Sequence, residues 1–331
     1  MRVLIAGLGS IGRRHLANLR HLVPDASIVV WHQHSRPSDG PSGSSPADRE
    51  VFSLERALDT QPHVALITGP ATTHIETALA LADNGVHLLV EKPISHSLDG
   101  VDELIERCRA RRLALLVGYN LRFSASVQEM KRILEAGRIG RVLSIRAEVG
   151  GYLPDWRPNS DYRRGVSARS ELGGGVLLEL SHEIDYVRWL AGDVTGVSAR
   201  VGQLSDLEID VEDVAEIILE FGSGAIGCIH LDMVQRSPTR TCRVIGSEGT
   251  LTWDGITGLA AHYSAATSTW TALCPEQAED RNDSYLVELR HFLNCVDRTA
   301  VPLINGTEGR RVLEIALAAK QSSMERRAVN V

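Results

Sequence analysis

The chain contains 331 residues, carries a formal net charge of −7 and is 43% hydrophobic. This length suits two domains or one large one, with enough apolar residues to bury sizeable cores. The negative charge argues against broad binding to nucleic acids or anionic membranes, and no apolar run is long enough to span a membrane. The five cysteines are scattered without a C-x-x-C pair, and Met1 leads directly into the first predicted strand without a signal peptide. We therefore expect a cytoplasmic protein with free thiols.

The first predicted unit is a strand that runs into a glycine-rich turn and then a helix. Residues 3–5 are apolar and β-rich, and residues 13–21 have a helical pattern. Between them, Gly7, Gly9 and Gly12 have the G-x-G-x-x-G spacing, which lets a backbone turn tightly and approach a pyrophosphate at a helix N-terminus. We expect a dinucleotide cofactor at this turn, bound by Gly7, Gly9, Ser10, Ile11 and Gly12.

The rest of the first half alternates strands with helices. Apolar strands are predicted at residues 27–31, 64–68, 86–90 and 114–117, and helices at residues 51–58, 72–84 and 97–112. This alternation predicts an α/β fold of the Rossmann type, with a doubly wound parallel sheet whose ligands bind outside the carboxyl ends of the strands. The loops expected to meet there are residues 7–12, 32–36, 68–74, 91–93 and 118–123.

The end of the second predicted strand has no carboxylate to bind the ribose 2′-hydroxyl of NAD. His32 and Gln33 occupy the place where NAD-preferring sites carry an acid. Ser35 and Arg36 offer groups that suit the 2′-phosphate of NADP, so we expect NADP or NAD as the cofactor, with NADP favoured. His32 and His34 flank a single residue, but no Cys or carboxylate cluster joins them, so no metal site is predicted.

The second half changes to long strands in which apolar and polar residues alternate. Such strands are predicted at residues 141–152, 197–203, 211–221, 225–234, 241–245 and 250–253, and helices at residues 126–137, 175–190, 284–298 and 308–326. This pattern predicts a second α/β domain with a large, mostly antiparallel open sheet, covered on one face by helices. We place a cofactor-binding domain at residues 1–122 and a second α/β domain at residues 123–331, with the C-terminal helix packing back on the first domain.

Five short motifs lie in order along the chain. They are residues 7–15, residues 68–74, Glu91-Lys92-Pro93, residues 118–123, and the triplet Gly173–Gly175 followed by His182 and Asp185. In this order they resemble the glucose–fructose oxidoreductase and inositol dehydrogenase family (Gfo/Idh/MocA), over nearly the whole chain. The resemblance implies NAD(P)-dependent oxidation or reduction of a sugar or cyclitol carbon, and a homodimer or homotetramer formed through the open sheet. It thus assigns substrate binding and oligomerisation to residues 123–331. It adds to the expected cofactor-binding residues His32, Thr68, Gly69, Pro70, His74, Glu91, Lys92 and Asn120.

The implied chemistry needs a general base for a hydroxyl proton and a cation for the alkoxide charge. His182 is the candidate base because an imidazole titrates near neutral pH. Lys92, which the resemblance places in the active site, is the candidate cation. The acid that supports His182 is either Glu179 or Asp185, because each lies three residues from it on a predicted helix.

Aromatic and basic residues are the candidates for substrate binding, most of them between a predicted strand and the glycine triplet. Aromatic rings stack on sugars, and arginines bind carboxylate or phosphate. The candidate set is Lys92, Arg122, Tyr152, Trp156, Tyr162, Arg163 and His182. We therefore expect a sugar, a cyclitol or a sugar nucleotide as the substrate. Two alternatives stay open, a redox sensor without turnover and an enzyme that uses tightly bound nicotinamide as a transient oxidant.

Overall fold

The computed structural model describes residues 1–33, 47–273 and 280–331. Within them the chain forms two compact units. The first contains Met1–Tyr119 and Tyr285–Arg310, and the second contains Asn120–Ser284 and Arg311–Val331. The chain thus leaves the first unit at Asn120 and returns to it for 26 residues, 285 to 310.

The first unit has a parallel sheet of six strands in the described part of the chain, in the order β3-β2-β1-β4-β5-β6. Its strands are β1 (Arg2–Ala6), β2 (Ser27–Trp31), β3 (Arg49–Val51), β4 (Val64–Ile67), β5 (His87–Glu91) and β6 (Leu115–Gly118). The helices between them are α1 (Ser10–Leu22), α2 (Leu54–Leu58), α3 (His74–Asp83) and α4 (Val101–Ala110). The predicted doubly wound parallel sheet is confirmed.

Both faces of this sheet are buried, which explains the continuous apolar runs of its strands. On β1, Val3 and Ile5 belong to a core that also contains Leu16 of α1. Leu4, between them, belongs to a second core on the opposite face together with Leu81 of α3. The hydrophobic effect therefore holds helices on both faces and leaves the carboxyl edge of the sheet for polar loops.

The second unit has a sheet of nine strands in the described residues, in the order β14-β13-β12-β11-β7-β10-β9-β8-β15. The strands are β7 (Val142–Gly150), β8 (Val194–Gly202), β9 (Val214–Phe221), β10 (Ile226–Asp232), β11 (Thr239–Gly246), β12 (Gly249–Asp254), β13 (Leu259–Ser264), β14 (Thr269–Ala272) and β15 (Val329–Asn330). The remaining helices are α5 (Ala125–Glu135), α6 (Val176–Glu179), α7 (His182–Ala191), α8 (Asp283–Val296) and α9 (Gly306–Glu325). β7 pairs with β10 in parallel and the other neighbours are antiparallel, which confirms the predicted mostly antiparallel sheet.

One face of the second sheet is covered by helices. On β9, Ala215, Ile217 and Leu219 are fully buried, whereas Glu216 and Ile218 between them are exposed. Helix α7 packs on β7, and α5 packs on β12 and β13. The period of two in the sequence thus separates a helix-covered face from an outer face.

Some predicted elements differ from the structure. Residues 49–51 form β3, so the helix predicted from Val51 begins only at Leu54, where the Ser53 side chain accepts a hydrogen bond from the backbone of Arg56. The helix predicted over residues 175–190 is two helices, because the chain leaves helical geometry after Glu179 and α7 begins at His182. Strands β13, β14 and β15 were not predicted, since they are short and β14 is exposed along its whole length.

Candidate active site

The glycine turn after β1 has two tightly packed glycines and an open one. A Cβ on Gly12 would lie 2.2 Å from the carbonyl oxygen of Gly7, and a Cβ on Gly7, where φ is +105°, would lie 2.8 Å from the nitrogen of Gly69. Gly9 has nothing within 4 Å of the Cβ position and is the N-cap of α1, without a side-chain cap. The turn therefore leaves open space beside the N–H groups that begin α1, next to Ser10 and Ile11, which suits a diphosphate.

The loop after β4 is hydrogen-bonded to this turn. Thr68 donates its hydroxyl to the carbonyl oxygen of Gly7 at 2.6 Å. Pro70 follows Gly69 at the N-cap of the short turn Ala71–Thr73. The predicted cofactor residues of the two loops thus lie side by side at the carboxyl edge of the sheet.

His74 joins that loop to the loop after β5. It is 1% exposed, and its ring nitrogens lie 2.9 Å from the carbonyl oxygens of Pro93 and Gly69. Burial lowers the pKa of His74, so its neutral ring donates one hydrogen bond at a time. The Lys92–Pro93 peptide bond beside it is cis. The buried His74 side chain therefore links the loop after β4 to the loop after β5.

Glu91 ends β5 and connects α1 with Lys92. Its Oε1 lies 2.7 Å from the Nε2 of His15, which is fully buried, and its Oε2 accepts a hydrogen bond from the backbone nitrogen of Lys92 at 3.1 Å. Tyr285 of α8 meets the His15 ring edge-on and lies beneath the guanidinium of Arg14. Burial, followed by the charge of Glu91, raises the pKa of Tyr285 to about 12. The sequence did not reveal this pairing of His15 with Glu91, because 76 residues separate them.

The end of β2 has an acid nearby that the sequence did not point to. The Nε2 of His32 lies 3.2 Å from the Oε2 of Glu50 on β3, and its ring stacks on Phe52. Gln33 donates a hydrogen bond to the hydroxyl of Thr77 at 2.8 Å. Glu50 was missed because β3 was not predicted. Ser35 and Arg36, the candidates for the 2′-phosphate, lie outside the described residues.

In the second unit, Arg122 forms a buried pair with Asp185. Each side chain is 1% exposed, and the Nε and Nη2 of Arg122 lie 2.7 to 3.1 Å from the two carboxylate oxygens. The guanidinium also lies 5.5 Å from the ring of Trp189. Asn120, two residues earlier, donates a hydrogen bond to the hydroxyl of Ser284 at 2.8 Å and is buried. Arg122 and Asn120 thus hold the chain by hydrogen bonds where it enters the second unit.

His182 is the first residue of α7 and is 9% exposed. The next residue, Glu183, is fully buried and accepts a hydrogen bond from the Nε of Arg240 at 2.8 Å. Burial and the charge of Glu183 raise the pKa of Tyr186, one turn along. The first turn of α7 therefore holds two buried carboxylates, Glu183 and Asp185, each paired with an arginine from another element. Glu179 lies at the end of α6 and is half-buried.

The two candidate substrate residues that closely follow β7, Tyr152 and Trp156, each contact a different neighbour. Tyr152 follows β7 and lies 3.5 Å from the guanidinium of Arg236, measured to the ring centroid. Trp156 lies beside Gly151 in the same loop.

Two further candidates contact the loop around Glu208. The hydroxyl of Tyr162 accepts a hydrogen bond from the backbone of Glu208, and the exposed guanidinium of Arg163 pairs with Asp161 and Glu208. These carboxylates raise the pKa of Arg163, with Asp161 the larger cause. Arg163 is therefore already neutralised on the surface.

Neither a metal centre nor a membrane span is found in the described residues. They contain no group of three or more His, Cys, Asp or Glu side chains placed to hold a metal ion. Across residues 1–33, 47–273 and 280–331, no helix combines the length and apolarity needed to cross a bilayer.

Comparison with known proteins identifies relatives along the whole chain. The chain is 30% identical to a myo-inositol 2-dehydrogenase of Thermotoga maritima, covering 100% of this chain and 98% of that one. It is 26% identical to an NAD-linked scyllo-inositol 2-dehydrogenase of Bacillus subtilis, covering 97% and 94%. Among solved structures, a probable dehydrogenase from Thermotoga maritima matches with a TM-score of 0.79 at 28% identity, covering 100% and 98%. A levoglucosan dehydrogenase in complex with NADH has the same fold, with a TM-score of 0.88 at 19% identity, covering 100% and 99%.

A family profile matches part of each unit. Residues 1–119 match the oxidoreductase family with an NAD-binding Rossmann fold, and residues 127–252 match the GFO/IDH/MocA C-terminal domain. The resemblance seen in the five motifs is confirmed. The chain belongs to the GFO/IDH/MocA family of oxidoreductases, and its first unit is an NAD-binding Rossmann domain.

Proposed function

We propose that this chain is an NAD(P)-dependent dehydrogenase that moves a hydride between nicotinamide C4 and a carbinol or carbonyl carbon of a sugar, cyclitol or sugar nucleotide. The names of its relatives support this substrate class, since two of them are inositol dehydrogenases. The observation that carries the proposal is the link from the glycine-turn helix to Lys92. Glu91 binds both His15 of α1 and the backbone of Lys92, so a lysine is fixed at the edge where a dinucleotide binds.

The residues present fit a nicotinamide dinucleotide. Gly9 leaves open space at the start of α1, and Thr68 fixes the neighbouring loop against Gly7. These groups would hold the diphosphate, and the bound cofactor supplies the hydride acceptor or donor. Near the adenosine, Arg36 and Ser35 would hold the 2′-phosphate, and on this ground we keep NADP as the favoured cofactor.

His182 is the general acid or base for the substrate hydroxyl. It removes the proton when the alcohol is oxidised and returns it when the carbonyl is reduced. Its backbone is fixed because Glu183 and Asp185 in the same helical turn are both held by arginines. Since the carboxylate of Asp185 already accepts hydrogen bonds from Arg122, we assign the supporting acid to Glu179.

Lys92 stabilises the negative charge that develops on the same substrate oxygen. An ammonium is a compact donor, and a positioned cation at an oxyanion lowers the barrier to hydride transfer. Glu91, bonded to the Lys92 backbone, orients it and lies where the nicotinamide ribose is expected.

The outer face of the second sheet supports a homodimer or homotetramer. Ile218, Ile226 and Ile245 point away from the helices and are 52%, 57% and 36% exposed. Further along this face, Trp270 and Leu259 border a depression of about 800 Å³. A second copy of the chain would bury these side chains, so we expect light scattering to give an oligomer and Ile226→Lys to shift it towards monomer.

A substrate panel tests the proposed reaction. The chain is incubated with NAD or NADP and with sugars, cyclitols and nucleotide sugars, while the absorbance of the reduced cofactor is followed. Net reduction or oxidation supports a dehydrogenase. Product without net change would identify a transient oxidant, and binding without chemistry, unchanged in His182→Ala, would identify a sensor. Fluorescence titration with each cofactor tests the preference, and tighter binding of NAD would contradict the assignment to Arg36.

A further inference from the structure

We propose that Arg236, stacked on Tyr152, is an anion-binding subsite that selects substrates carrying a carboxylate or a phosphate. The inference rests on the proposed function, because it names the substrate class of the same reaction. The sequence pointed to Arg122 and Arg163 for this task and did not single out Arg236.

Arg236 lies on the same edge of the second sheet as the first turn of α7. Because β7 and β10 pair in parallel, their carboxyl ends reach one edge, and Tyr152 follows β7 while Arg236 follows β10. Arg240, at the start of β11, pairs with Val149 near the end of β7 and binds Glu183, the neighbour of His182. Arg236 and Arg240, the partner of the residue next to the candidate base, thus belong to one edge of one sheet.

Two other arginines near this edge, Arg163 and Arg240, already have carboxylate partners. Arg163 pairs with Asp161 and Glu208, and Arg240 pairs with Glu183. Arg236 differs, since among the residues that the structure describes no carboxylate pairs with it, and its neighbour is the Tyr152 ring at 3.5 Å. It is also exposed. Its charge therefore remains available to a ligand, and the aromatic contact orients its plane without neutralising it.

The two loops that carry this pair are fixed by hydrogen bonds. The carboxylate of Asp232 accepts bonds from the backbone nitrogens of Val234 and Gln235 at 2.8 and 2.7 Å. The backbone of Leu153 donates to Met233 at 2.9 Å, which joins the loop after β7 to the loop after β10. A guanidinium held in place loses less freedom on binding and can bind two oxygens of one carboxylate or phosphate.

The ring of Tyr152 and the indole of Trp156 add aromatic surfaces to the proposed subsite. Both follow β7, and Trp156 lies against Gly151 in the same loop. Aromatic faces suit the C–H face of a sugar ring, while the guanidinium suits an acidic substituent on it. The pair therefore fits an acidic sugar derivative better than a neutral cyclitol.

Calorimetric titration of the full chain, saturated with reduced cofactor, tests this subsite. The probes are D-glucose, D-glucuronate and D-glucose 6-phosphate, so that the two acidic probes distinguish carboxylate from phosphate. The variants are Arg236→Gln and Arg236→Lys, with Arg138→Gln as a matched control. Arg138 is exposed in the same unit and pairs with no carboxylate in the described residues. Arg138→Gln therefore changes the net charge by the same amount as Arg236→Gln. Thermal melting of each variant verifies folding.

We expect one acidic probe to bind at least about tenfold more tightly than D-glucose in the unchanged chain. Arg236→Gln removes this advantage and leaves D-glucose binding unchanged, Arg236→Lys restores part of it, and Arg138→Gln keeps all of it. The subsite is overturned if acidic probes show no advantage, or if Arg236→Gln and Arg138→Gln behave alike. Turnover of the acidic probes with unchanged kcat/KM in Arg236→Gln would refute the subsite and leave the proposed dehydrogenase intact, whereas turnover of no probe or panel sugar would refute the dehydrogenase itself.

Discussion

The carboxylate of Glu91 lies 2.7 Å from the Nε2 of His15, and both residues are buried in the first unit. The same carboxylate binds the backbone of Lys92. One side chain thus connects the helix that follows the glycine turn with the lysine proposed to act on the substrate. This relationship makes the stability of the cofactor domain and the placement of Lys92 depend on the same buried pair.

Replacing His15 by Leu should destabilise the protein by about 1–3 kcal/mol, because a buried carboxylate loses its partner. Urea unfolding of the cofactor-free protein measures this change. The double variant His15→Leu with Glu91→Leu should recover part of the loss, since no charge is then left unpaired. If the double variant is less stable by the sum of the two single losses, the pair is not coupled.

The two glycines of the turn should respond differently to alanine. Gly12→Ala should lower the free energy of unfolding by about 1–3 kcal/mol, because its Cβ would lie 2.2 Å from the oxygen of Gly7. Gly9→Ala meets no atom within 4 Å and should change stability little, yet it fills the space proposed for the diphosphate. Cofactor titration should therefore show at least about tenfold weaker binding for Gly9→Ala. Unchanged affinity in Gly9→Ala would place the diphosphate elsewhere.

Asp185→Asn should destabilise the protein by about 3–5 kcal/mol, because it removes the charge of the buried carboxylate that binds the Arg122 guanidinium. Glu106→Gln serves as the control, since its pair with Arg109 is exposed and exposed pairs contribute at most about 1 kcal/mol. Chemical unfolding of both variants gives the comparison. A loss for Asp185→Asn as small as the control would mean that water reaches the pair.

His74 should make stability depend on pH in the acidic range. Its pKa in the folded protein lies below the ordinary 6.5, chiefly because burial disfavours the charged ring. The unfolded chain then binds a proton that the folded chain does not, so the free energy of unfolding decreases as the pH falls below 6.5. His63 and His87 act in the same direction, so His74→Gln should reduce the slope without abolishing it. Unfolding curves across this range measure the slope, with the exposed His21→Gln as the control for the loss of a histidine. A slope in His74→Gln as steep as in that control would contradict the prediction.

Local patterns in the sequence explain how far the fold could be predicted. Five of the six strands described in the first sheet were predicted correctly because they are apolar runs between helical patterns, as at residues 64–67. Strand β3 was missed because Arg49-Glu50-Val51 has no apolar run, and the break before His182 was missed because buried apolar residues continue through Leu180. Whether such residues form a strand, a helix or a break depends on their packing against residues that are distant in the sequence.

The hydrogen-bond partners of the site residues could not be predicted from the sequence for a different reason. The spacing of Asp185 from His182 suggested a pair within one helix, but the structure pairs Asp185 with Arg122, 63 residues earlier. Similarly, Glu91 is paired with His15 through the packing of α1 on the sheet. Motifs therefore indicated which segments matter, while the hydrogen-bond partners required the tertiary structure.

The rate of hydride transfer in His182→Ala, measured with the best substrate of the panel and saturating cofactor, tests the central claim most directly. We predict that kcat falls by about 10²–10⁴, the usual contribution of a positioned general acid or base, while cofactor affinity and melting temperature stay unchanged. Turnover within a few-fold of the unchanged chain would contradict the account, because the imidazole would then have no part in moving the proton.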